Sequence, residues 1–102
     1  MPLIPEELRA RLPPLHAQEA EDEPMVYARF FLPGSQRAWY PLEGEPVGED
    51  FMFFGWLAPN TEFAEFRLSE LQAIRGLFDS HVERDPAFRE GRLTDVVPAP
   101  DM

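Results

Sequence analysis

The chain has 102 residues, nineteen acidic against nine basic, for a net charge of −10, and no cysteine. The length suits a single domain over residues 1–102, with one core that needs no staples. The missing Cys excludes disulfides, thiolate metal sites and cysteine nucleophiles. The carboxylate excess disfavours direct contact with a nucleic acid backbone, which requires Lys or Arg to displace counterions.

All nine basic residues are Arg, Pro occurs twelve times, and residues with A/T-rich codons are scarce, which points to a GC-rich bacterial or phage gene. The N-terminal MPLIPEELRARL carries no long apolar run, and no segment approaches the ~20 apolar residues of a membrane span. The expectation is a soluble, cytoplasmic protein.

Residues 2–12 read as a short helix, with Pro5, Glu6 and Glu7 at its positive end and Arg9 and Arg11 at its negative end. Pro13-Pro14 ends it, and 16–24 (HAQEAEDEP) reads as a solvated acidic loop. Residues 25–32 form a first strand, Pro33-Gly34-Ser35 a turn, and 38–42 a second strand whose Pro41 marks an edge or an irregularity. Residues 43–50 (EGEPVGED) read as a second acidic loop.

The stretch 51–76 organises the rest. Phe51, Phe53, Gly55 and Leu57 share one face of a strand, and Met52, Phe54 and Trp56 the other. Both faces are apolar, so the strand is expected to be central and covered on both sides. Gly55 marks a bulge or a close backbone approach. Pro59-Asn60-Thr61 is turn chemistry, with Asn60 suited to positive φ. In the return strand, 61–68, a bulge near Ala64-Glu65 is needed to turn both Phe63 and Phe66 inward.

Ser69-Glu70-Leu71-Gln72 fits a capping box that opens a helix running to Gly76, where a left-handed residue would close it. Leu71 and Ile74, with Leu68 and Phe78, form its buried stripe. Residues 80–84 add a fifth short strand, Ala87-Phe88 plugs the core, 94–97 makes one helical turn, and 98–102 frays. The fold class is α+β: an antiparallel sheet of four or five strands, a short N-terminal helix and one capped helix after the central hairpin.

The segments ELRARLPPLHAQE, MVYARFFLPGSQRAWYPLE, FFGWL, the run from Glu62 to Arg75, and VERDPAF occur here in order. Together they resemble the bacterial, plasmid and phage family catalogued as domain of unknown function 2958. The resemblance spans about residues 3–93 and departs from the family pattern at Ala64-Glu65, where a Gly-Tyr pair is usual. It implies genomic company rather than an activity: mobile elements, beside conjugation and anti-restriction genes.

No stretch names a reaction or a cofactor. His81, Glu83, Arg84 and Asp85 form the densest polar cluster. It reads as an acid/base site with His81 or Asp85 as base, or as an ion pair with Asp85 capping the turn after Pro86. His16 has no second ligand at metal-binding spacing. Trp39 and Tyr40 read as interface anchors or as core aromatics.

Two functions stay open. One is a non-enzymatic protein of a mobile element that binds a basic protein surface, such as a nucleic-acid-binding defence complex, as an anti-CRISPR or anti-restriction inhibitor. Its contact residues would be Glu21, Asp22, Glu23, Glu43, Glu45, Glu49 and Asp50, with Trp39 and Tyr40. The other is a small enzyme that uses His81, Glu83 and Asp85. No metal, cofactor, membrane or direct nucleic acid partner is expected.

Overall fold

The computed structural model describes residues 3–97. Five strands build the main sheet: β2 (Phe30–Phe31), β3 (Ala38–Val47), β4 (Asp50–Ala58), β5 (Glu62–Arg67) and β6 (Glu83–Arg84). They lie in the order β5-β4-β3-β2-β6, antiparallel throughout. β1 (Met25–Val26) and β7 (Gly91–Arg92) pair as a separate two-stranded sheet. Three short helices, α1 (Glu6–Arg11), α2 (Leu68–Ala73) and α3 (Leu93–Val96), complete the expected α+β architecture. Among the described residues, no helix is long and apolar enough to cross a membrane.

The β3–β4 hairpin is longer than its punctuation suggests. Residues 43–47 continue β3 instead of forming a loop, and the chain reverses at Gly48-Glu49, between the paired Val47 and Asp50. Gly48 takes φ +62°, which costs a residue without a Cβ little. Residues 50–54 offer a complete antiparallel ladder, and these pairings outweigh the turn propensity of Gly44 and Pro46.

The bulge lies on β3, not at Ala64-Glu65. β5 pairs with β4 in unbroken register from Met52↔Arg67 to Leu57↔Glu62, so Phe63 and Phe66 point to opposite faces. On β3 the register steps from Pro41↔Gly55 to Glu43↔Phe54, which leaves Leu42 as the extra residue. Gly55 sits opposite this step because a Cβ there would lie 2.2 Å from the Tyr40 carbonyl oxygen.

Other segments differ in detail. The expected 25–32 strand splits between the two sheets; in the gap the Tyr27 N–H donates to the Pro41 carbonyl and the Arg29 carbonyl accepts from the Asp85 N–H. The helix entry lies at Arg67, not Ser69: Glu70 accepts from the Arg67 N–H, and Asp50 accepts from both the Ser69 N–H and its hydroxyl. The helix ends at Ala73. Gly76 stays extended, and left-handed φ falls instead on Phe78 (+57°) and Asp79 (+58°) in a turn closed by Gly76 and Ser80. Phe78 is therefore fully exposed rather than part of the buried stripe. At the other turn, Thr61 and not Asn60 takes positive φ, after a cis Ala58–Pro59 peptide. The expected fraying of 98–102 lies outside the described residues.

The sheet packs on both faces, unequally. On one face Phe30, Phe51, Phe53 and Phe66 meet Leu8 and Leu12 of the α1 region and Leu71 of α2. On the other, Ala38, Tyr40 and Leu42 of β3 are buried by Val26 of β1 and Leu93 of α3, with Phe88 beside them. That cover stops short of β4 and β5, where Phe54 and Trp56 are half-buried and Phe63 keeps 48% of its surface exposed.

Candidate groove for a basic ligand

The open part of this second face is one side of a groove. Leu42, Phe54 and Phe63 form its apolar floor, and residues 15–24 form the opposite wall. The space is about 620 Å³, within the usual range for a ligand site.

The wall is held by carboxylates from β3. The bulge at Leu42 turns Glu43 onto the Phe54 face, as such irregularities commonly re-aim a side chain. Glu43 is 3% exposed, and its two oxygens accept from the His16 N–H (2.8 Å) and the Gln18 N–H (2.6 Å). Glu45 accepts from the Leu15 N–H at 2.8 Å. The Gln18 amide donates to the Met25 and Leu42 carbonyls and accepts from the Met25 N–H. Charge-assisted bonds to backbone N–H groups are among the stronger hydrogen bonds in proteins. They fix the loop that sequence reading took as merely solvated.

On that wall Glu19, Glu21 and Asp22 are exposed and line the groove, and Glu65 faces them from β5. His16, at φ +74°, sits 3.7 Å from Glu19. No Arg is among the lining residues. Phe63 is braced rather than loose: its ring stacks on Phe54 (5.7 Å, 10°) and meets Trp56 edge-on (4.8 Å, 77°).

The structure spreads the nine sequence-derived contact residues over separate places. Glu21 and Asp22 lie in the groove. Glu23 is spent on α3, accepting from the Thr94 N–H and hydroxyl. Glu43 and Glu45 are spent on the wall, so neither offers the free loop carboxylate expected of it. Glu49 is exposed at the hairpin tip, away from the groove. Asp50 serves α2; the Ser69 hydroxyl, then the Phe51 N–H, hold its carboxyl below the ordinary value of 3.8. Trp39 (5% exposed) and Tyr40 (3%) are core aromatics and not surface anchors.

Sequence reading missed Phe54, Phe63 and Glu65 as one surface. The signal was present in their strand spacing, and the bulge assumed at Ala64-Glu65 hid it.

The 81–85 cluster is divided: His81, Glu83 and Arg84 line one cavity of about 460 Å³ with Leu71 and Gln72, and Asp85 lies outside it. His81 and Glu83 are exposed. Asp85 accepts from the Ala87 N–H (2.9 Å) and from Arg29 (3.3 Å), as a turn cap and ion-pair partner would. Among the described residues, no group of three His, Asp or Glu could hold a metal ion.

A family profile described as "Protein of unknown function (DUF2958)" matches residues 3–97, and the chain belongs to that family. No curated protein and no solved structure matches the chain.

Proposed function

We propose that this DUF2958 protein acts without catalysis, by binding a basic surface of a partner protein in the groove between residues 15–24 and the Phe54–Phe63 floor. The composition of the groove carries the reading: an apolar floor, four exposed carboxylates around it, and no Arg among its lining residues. The net charge of −10 acts in the same direction, steering the chain toward positive surfaces. The genomic company implied by the family gives the reading its concrete form. The partner would be the basic, nucleic-acid-binding channel of a restriction or CRISPR complex, and the action would take place in the bacterial cytoplasm. Against the alternative of a small enzyme stands Asp85, which is occupied by the Ala87 N–H and Arg29 and lies outside the cavity of His81 and Glu83.

The test uses protamine as a basic protein probe and compares two sets of four neutralisations with the same change in net charge. Glu19→Gln, Glu21→Gln, Asp22→Asn and Glu65→Gln together should weaken binding about tenfold, whereas Glu6→Gln, Glu49→Gln, Glu62→Gln and Glu83→Gln together should weaken it no more than about threefold. Binding should also fall with salt, as the Debye length drops from ~10 Å at 0.1 M to ~3 Å at 1 M. Equal weakening by the two sets would reduce the attraction to net charge alone and overturn the groove assignment.

A further inference from the structure

We infer that the groove selects arginine: an arginine side chain of the partner lies with its guanidinium against the exposed Phe63 ring while Glu65 accepts from its N–H groups. This rests on the basic-surface reading above and adds the identity of the residue recognised.

The argument begins with the floor. Phe54 and Phe63 stack on one another, 10° from parallel at 5.7 Å, which fixes the orientation of the exposed Phe63 ring in the groove. Trp56, the cross-strand partner of Phe63, packs against that ring at 77° on the same sheet face. A large aromatic side chain is thus held 48% exposed on an otherwise packed sheet. Water gains nothing there, but a weakly hydrated planar cation does, because the ring quadrupole attracts positive charge to its face.

The carboxylate is in the right place. Glu65 pairs in register with Phe54 and lies two residues from Phe63 on the same strand face, ~7 Å along β5. A guanidinium against the Phe63 ring therefore has an acceptor at its edge, and its fork geometry suits a carboxylate as a lysine ammonium does not. Glu19, Glu21 and Asp22 stand across the groove to receive further positive charge. Because Glu43, Glu45 and Gln18 already fix that wall, little ordering remains to be done on binding.

The chain itself uses the same contact three times. Arg9 lies over Phe51 at 5.0 Å, Arg29 over Phe31 at 4.8 Å and Arg37 over Trp39 at 4.9 Å. In each of these cases the chain supplies both the ring and the Arg, whereas no Arg of the chain is among the groove's lining residues.

The test uses three peptides of one length, alternating glycine with arginine, lysine or citrulline, titrated into the full chain. Affinity is read from amide shifts at Phe63 and Glu65. The arginine peptide should bind about fivefold more tightly than the lysine peptide, and the citrulline peptide more weakly than both. Phe63→Leu, which keeps an apolar side chain, should abolish the arginine preference while changing lysine binding by less than about twofold. Equal arginine and lysine affinities, both lost on neutralising Glu19, Glu21, Asp22 and Glu65, would overturn the arginine assignment and leave the basic-surface reading standing. Arginine and lysine affinities indifferent to those four changes would overturn both.

Discussion

Phe53 and Phe54 are neighbours on β4 with opposite surroundings. Phe53 is fully buried, touching Phe30, Phe51 and Phe66 at ring distances of 5.0–5.6 Å beneath α1 and α2. Phe54 and its cross-strand neighbour Phe63 meet a loop that reaches only part of their surface. The residue types are the same and the strand alternation is the same; the covering differs. An aromatic face of a sheet thus becomes core or groove floor according to what the rest of the chain lays over it. Here one face receives two helices, and the other receives β1, β7 and α3 over β3 alone.

This contrast can be broken most forcefully from the sealed side. Phe53→Ala should cost about 3–5 kcal/mol, since transfer and cavity terms add where nothing relaxes into the gap. Chemical denaturation measures this directly, and a cost under ~1 kcal/mol would contradict the packing described.

The next effect belongs to the wall of the groove. Glu43→Ala leaves two N–H groups without their acceptor and should cost about 2–3 kcal/mol. Hydrogen exchange at the His16 and Gln18 amides should accelerate more than exchange in β4, sharpening the distinction between a pinned loop and the sheet that pins it.

Asp50 gives a smaller effect with a pH signature. Its folded carboxyl titrates below the ordinary 3.8, chiefly through the Ser69 hydroxyl and then the Phe51 N–H. A depressed folded value means that the stabilisation is present above the unfolded value and is lost as pH falls through the folded one. Asp50→Asn should therefore be less stable than the parent at neutral pH. The gap should close as the medium is acidified below 3.8. A gap independent of pH would refute this account.

The smallest effect is on the open side. Phe63→Ala should change stability by no more than ~1 kcal/mol, because a half-exposed ring has little burial to lose. Protamine binding should nevertheless weaken. Similar stability losses for Phe53→Ala and Phe63→Ala would erase the contrast between the two faces.

The fold was largely legible because its strongest signals are local. Alternating aromatics in 51–57, the Pro33-Gly34 turn and the Leu71 stripe each specify an element from adjacent residues. Where reading failed, the deciding partner lies far along the chain. Glu43 looks like a loop carboxylate until the His16 and Gln18 N–H groups, 27 and 25 residues earlier, are placed beside it. Ser69 looks like its own cap until Asp50, nineteen residues earlier, supplies the acceptors. Trp39 and Tyr40 could be core or surface by sequence, and only the arrival of α1 on one face and of β1 and α3 on the other decides. The groove was half legible: its acidic wall stood out in composition, but its floor depended on which strand carried the bulge.

That bulge has a consequence for how the hairpin tolerates changes in length. Leu42 works as a phase shifter: it offsets the alternation of residues 43–47 by one from that of 38–41, while both stretches keep consecutive partners on β4. Removing Leu42 would close the bulge and leave Glu43 opposite Phe54, but it would take a buried side chain from the second face and from the groove floor. Gly55 is bound to the same event, since only a bare backbone fits against the Tyr40 carbonyl beside the step. The two positions, thirteen apart, are thus one structural unit, and damage at either should be strongly non-additive with damage at the other. The hairpin thus has spare length at two places, at Leu42 and at the Gly48-Glu49 tip, where a change of length leaves the pairing of both strands unchanged.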